Sequence, residues 1–339
     1  MVLDDYWKKK TRMAFKRFQN SVAESRFLLP LSALITAGAC YLSGLVTDGL
    51  WMQLVCLALS VVLVVELNNT HLLLRVPSLS TPSFLLLLTA VAIFIFPDLR
   101  ACIIQLCGIA VYFTLFHCEQ RRPSPGWVFY GFFCIGLASM VWVQMLYYVP
   151  VMWLLMATHL RAMTAKTFWA SVLGLLAPYW IGMGYYLYQG GVESLGAHFA
   201  QLWAFGALGD YSMLNEHHWL AICWTVLLAF IGIVHYIRKG YQDKIRTRLL
   251  TQIFIVVDVL SITFLFLQPQ HYPLLMALII VNTAPLVAHF ITLTHTWLTN
   301  MAFFFIIVIT LAIIFYNVWM PSSNFLSVTA TQVCSYLPL

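Results

Sequence analysis

Asp258 lies near the middle of an unbroken apolar stretch, residues 249–267, where an ionisable side chain is costly and marks a functional position by default. A bare carboxylate in hydrocarbon must find hydrogen-bond partners or take up a proton. The next apolar stretch, 273–293, runs in the opposite direction and carries Asn282 and Thr283 at a similar depth, with Pro285 just beyond them. Proline removes one backbone donor and frees the carbonyl of residue 281, which suits a locally opened helix lining a polar cavity. Asp258, Asn282 and Thr283 are therefore the expected intramembrane constellation. Its chemistry is that of a substrate or proton site, and the competing reading is an interhelical hydrogen bond that only ties two spans together.

A second group sits between apolar stretches, in residues 189–217. His198, Asp210, Glu216 and His217 could act there as acid and base or bind a divalent metal, with His218 just inside the next stretch. Their spacing matches no metal motif: there is no His-Glu-x-x-His, and Glu216, His217 and His218 are consecutive, so on a helix they point different ways. A polar cap at the membrane surface explains them equally well. Residues 199–205 read as an interfacial aromatic helix. Glu66, His71, His117, His159, His235 and His295 fall at the ends of apolar stretches, where side chains reach interfacial water. No cofactor motif, Walker loop, haem pair or nucleophile elbow is present.

The elements that must position these residues follow from composition. Of 339 residues 62% are hydrophobic and 9% charged, with mean hydropathy +0.86, whereas a soluble domain carries about 25% charge. The apolar runs are long enough to cross a hydrocarbon core about 30 Å thick. They are unbroken, which argues against the alternation of a β-barrel strand. The fold class is all-α, a polytopic transmembrane helical bundle. Eleven spans are expected, at about 27–46, 50–66, 83–98, 101–118, 127–142, 144–160, 168–188, 218–237, 249–267, 273–293 and 301–319. The pair 127–142 and 144–160 reads either as a tight hairpin or as a long tilted helix with a re-entrant piece.

Charge orients the bundle. With the N-terminus in the cytoplasm, every lysine and arginine except Arg100 falls in cytoplasmic segments. Merging 127–142 with 144–160 would invert everything after it and put Arg238, Lys239, Lys244, Arg246 and Arg248 outside, so the hairpin is preferred. The expected organisation is a basic amphipathic tail at 1–26, a bundle at 27–319 with the outward loop 189–217, and a periplasmic tail at 320–339. Lys8, Lys9, Lys10, Arg12, Lys16 and Arg17 alternate with Trp7, Phe15 and Phe18, a pattern suited to anionic lipid at the inner leaflet or equally to a basic tail that only sets topology. The net charge of +6 is thus accounted for beside spans, and nucleic-acid binding is not expected. No cleavable signal peptide is read. The eight cysteines form no Cys-x-x-Cys pair, and buried cysteine behaves as a small hydrophobe, so no structural disulfide is expected.

Several segments carry a resemblance. They are Leu67-Asn68-Asn69 with Pro82, the Phe96-Pro97-Asp98-Leu99 turn, the glycine-alanine stretch 131–138, His159-Leu160-Arg161-Ala162, Gly174-Leu175-Leu176-Ala177-Pro178-Tyr179, and Lys244-Ile245-Arg246-Thr247-Arg248. In that order they resemble a family of polytopic inner-membrane proteins of Bacteroidota with no assigned activity, over about residues 60–320. The resemblance implies a bacterial inner-membrane location. Three functions remain in view: transport or escort of a small or amphipathic substrate through the Asp258 site, an envelope lipid or glycan enzyme using the outward loop, and a non-catalytic subunit that docks a membrane protein partner.

Overall fold

The computed structural model describes residues 25–45, 48–71, 73–74, 78–118, 124–188, 192–206, 209–293 and 297–319. The basic segment with Lys8 to Arg17, the C-terminal tail with Cys334, and His295 lie outside the described residues. Among the described residues there are α-helices and short 3-10 turns and no strand. The helices are α1 Leu28–Leu42, α2 Trp51–His71, α3 Ser80–Val91, α4 Leu99–Leu115, α5 Pro125–Val141, α6 Tyr148–Thr158, α7 Ala165–Tyr188, α8 Val192–Ala200, α9 Glu216–Lys239, α10 Ile245–Leu267, α11 Tyr272–Leu293 and α12 Trp297–Trp319. Each apolar stretch read from the sequence is helical. Among the described residues, five helical segments are long and apolar enough to cross a membrane: Trp51–His71, Glu216–Gln242, Ile245–Leu267, Pro269–Leu293 and Trp297–Trp319.

Local chemistry sets several ends. The Asp98 carboxylate caps α4 by accepting from the Arg100 backbone N–H at 3.0 Å. Pro125 opens α5, where its missing N–H costs nothing. Asn215 and His218 close a reciprocal capping box at the start of α9. Between α5 and α6 the chain breaks at Trp142, whose backbone is extended, and passes through a 3-10 turn, Val143–Tyr147. Phe132 of α5 and Trp153 of α6 stack with ring centroids 6.4 Å apart.

The core is built on α11, which is buried along its apolar length and is flanked by α3, α4, α9 and α10. All of α3 is buried as well. Around this axis, α2, α7 and α12 present Trp51, Val62, Trp180, Ile181, Phe305 and Phe315 outward, an apolar surface that only lipid would solvate favourably. The seven described cysteines, Cys40, Cys56, Cys102, Cys107, Cys118, Cys134 and Cys223, are free thiols.

Two expectations change. The aromatic helix expected at 199–205 is displaced: α8 ends at Ala200 and residues 201–206 form turns pinned from both sides. Gln144 Nε2 donates to the Gln201 carbonyl at 3.1 Å, the Tyr147 hydroxyl donates to the Leu202 carbonyl, and Gly206 N–H donates to Gln268 Oε1 at 3.1 Å. These tertiary bonds satisfy backbone groups that a helix would otherwise have to pair internally. The opened helix expected at Pro285 is also absent, since α11 runs continuously through it. Close packing on several sides of this helix holds the proline within the helical path.

Candidate functional site

Asp258 sits halfway along α10, turned toward α11, and its side chain is fully buried together with Asn282 and Thr283. The Thr283 hydroxyl lies 3.3 Å from each Asp258 oxygen, both long contacts for an O–H donor, and it can serve only one of them at a time. Asn282 points to another neighbour. Its Oδ1 accepts from the Tyr112 hydroxyl of α4 at 2.5 Å, and its Nδ2 donates to the Leu278 carbonyl at 2.9 Å. Tyr148 of α6 completes the setting by pairing with Ser261, one turn from Asp258, at 2.9 Å. Of the three residues expected together, Asp258 and Thr283 meet at the α10–α11 contact while Asn282 pairs with α4, and sequence reading did not include the two tyrosines.

The site is closed. A cavity of about 10 Å³ lies alongside, with Tyr112, Phe254, Val281, Ala284 and Pro285 in its lining, at the lower limit for one water molecule. Apolar atoms make nearly all of that lining. A fully buried carboxyl with one hydroxyl donor and no cation among its hydrogen-bond partners has the chemistry of a proton acceptor or of an oxygen donor to a small ligand, reached only when the helices part.

The outward-loop residues are not brought together. His198 Nε2 faces the Ser139 carbonyl of α5 at 3.0 Å, and its ring lies beside Phe199. Asp210 accepts from the Ser212 N–H at 3.1 Å, and its bonds to Ser212 hold the carboxyl below the usual carboxylate range. Glu216 is exposed in the first turn of α9. His217 Nδ1 meets Asn317 Oδ1 of α12 at 3.0 Å. His198 and His217 thus turn to different helices, while Asp210 bonds within its own loop. No group of three or more His, Cys, Asp or Glu among the described residues has a metal-binding arrangement.

Histidines at the opposite end are gathered instead. His71 Nδ1 lies 3.1 Å from Arg246 Nη2, and its ring packs edge-on to His117 at 4.6 Å, which stacks on Trp127 at 4.4 Å. A second cluster escaped the sequence reading. His289, in the penultimate turn of α11, places Nε2 2.8 Å from Asp243 Oδ2, with both side chains 2% exposed. The ring of His235 from α9 lies 5.3 Å from that of His289. Asp243 stands among Lys239, Lys244 and Arg246 and reads as one more loop charge. The available signal was His289 itself, seven residues after Asn282 and so on the same face of a span.

No family model, curated protein or solved structure matches the chain. The class that fold and site define is a helical protein with, among the described residues, five helices able to cross a membrane and a buried acid at the centre of one of them.

Proposed function

We propose that this protein is an integral membrane carrier, moving or escorting a small or amphipathic substrate, with Asp258, Asn282 and Thr283 as its central polar site. The observation that carries this reading is the Asp258 carboxyl, fully buried in a helix apolar enough to cross a membrane and held only by a long contact from Thr283. A residue of that cost in a span is retained where it handles a ligand or a proton. The closed geometry corresponds to an occluded form. Access to the site then requires α10 and α11 to separate, and Pro285 lowers the cost of that movement because α11 already lacks one internal hydrogen bond there. His198, Asp210 and His217 each turn to a separate partner, so their arrangement supports the central site over the outward loop.

Around this core, eleven crossings with the N-terminus in the cytoplasm and the C-terminus outside account for the distribution of lysine and arginine. The resemblance to inner-membrane proteins of Bacteroidota supports the bacterial inner membrane as the location. Lys8, Lys9, Lys10, Arg12, Lys16 and Arg17 are suited to anionic lipid headgroups on its inner leaflet.

The test is complementation of a strain lacking the gene, read by comparing whole-cell metabolite and lipid profiles. Asp258→Asn, at membrane abundance equal to the unaltered protein, is expected to leave the deletion strain's profile uncorrected. A profile fully restored by Asp258→Asn overturns the carrier reading.

A further inference from the structure

The Asp243, His289 and His235 cluster lies two turns along α11 from the central site and has no part in it. Three elements build it. α11 contributes His289, the connection after the Gly240–Gln242 turn contributes Asp243, and α9 contributes His235. His289 Nε2 faces the carboxylate at 2.8 Å, so in the neutral ring the proton sits on Nε2 and is donated to Asp243. That leaves Nδ1 as a bare acceptor. It is buried and has no hydrogen-bond partner among the described residues, and neither has the buried Nε2 of His235 in the adjacent ring. Buried imidazole nitrogens are ordinarily satisfied, and two orphans side by side next to a carboxylate call for an explanation.

We propose that His289, held by Asp243 and flanked by His235, is a reversible proton-binding site at the charged end of the bundle. The proton comes from water at the end where Arg238, Lys239, Lys244 and Arg246 are exposed. It adds to the lone pair of His289 Nδ1. No bond breaks, the Nε2–H stays on Asp243, and the product is an imidazolium facing a carboxylate. His235 Nε2 is the neighbouring lone pair or donor through which the proton passes to and from His289.

The ionisable groups around the site fit this role. From α9 they are His235, Tyr236, whose ring lies 5.9 Å from His289, and Lys239 at the helix end. From the connection comes Asp243, and from α10 Arg248, whose carbonyl accepts the Tyr236 hydroxyl at 3.0 Å. α3 brings no ionisable residue, and α4 brings Tyr112, which is engaged further along α11 with Asn282. Asp243 is thus the acid that directly faces the imidazole. A fixed structural pair would keep one protonation state, whereas a proton site changes state reversibly.

The experiment is nitrogen NMR of the full chain in lipid nanodiscs, with histidine isotopically labelled, between about pH 5 and pH 8. The His289 resonance is assigned by its loss in His289→Gln or, if that variant does not fold, by sequential assignment of the unaltered chain. Nδ1 is expected to convert reversibly from its bare to its protonated shift on acidification, and Asp243→Asn to suppress the conversion. A His289 that keeps one state throughout this range overturns the proposal, as does one that titrates identically in Asp243→Asn. Asp258→Asn is expected to leave the conversion intact, so this result and that of the carrier test stand separately.

Discussion

At the scale of single residues, the Asp258 contact is decided by one hydroxyl. Thr283→Val keeps the shape of the side chain and removes the donor, leaving a buried carboxyl without its neighbour. The expected loss of stability is about 1 to 2 kcal/mol, the range for a buried polar group stripped of its partner and near the upper end for bonds between helices in membranes. Thr283→Ser retains the hydroxyl and should lose less. Reversible unfolding in mixed micelles measures both, and a larger loss in Thr283→Ser than in Thr283→Val would show that the methyl group, rather than the hydroxyl, carries the contribution of Thr283. The pairing of Tyr112 with Asn282 illustrates why sequence reading reached only part of this site. Asp258 and Thr283 are conspicuous because they are polar in apolar runs. A tyrosine at residue 112 looks like any other aromatic span residue until α4 is packed against α11.

At the scale of elements, the bundle depends on close helix approaches as much as on apolar area. α5 and α7 cross so tightly at Gly174 that a Cβ there would collide with the Phe129 carbonyl. Gly184, further along the same helix, has open space around it. Gly174→Ala is therefore expected to destabilise by about 1 to 3 kcal/mol through forced separation of the helices. Gly184→Ala should stabilise by roughly 0.5 to 1 kcal/mol, the usual gain from removing a glycine inside a helix. Thermal melts of the two variants in the same detergent would check the contrast, and a Gly174→Ala protein as stable as the unaltered one would refute the tight crossing. The same close packing explains the continuous α11. Pro285 pointed to an opened helix when only its own hydrogen bond was counted, but neighbours on several sides keep the chain helical. The break between α5 and α6 was legible only through charge, because merging 127–142 with 144–160 would put Arg238 to Arg248 outside. The 3-10 turn that makes it carries no distinctive residues.

At the scale of the whole molecule, orientation is the property with the simplest test. Gln242, beside Asp243, and Ser212, in the loop before α9, are both exposed and lie at opposite ends of α9. Gln242→Cys should resist a membrane-impermeant thiol reagent in intact cells and react after permeabilisation, whereas Ser212→Cys should react in both. The reverse pattern would invert the orientation expected from charge. Sequence by itself determined the helical class, the approximate limits of each apolar helix and the peculiarity of Asp258, because these depend on hydropathy counted along the chain against the cost of polar groups in hydrocarbon. Only the tertiary structure decided that Asp243 meets His289 across 46 residues, that the four outward-loop candidates stay apart, and that α11 rather than a peripheral helix forms the axis. The reason is rotational. A helix that is apolar on all sides has no stripe that declares which face turns inward, so which side chains meet is set by packing against neighbours and not by any period within the helix itself.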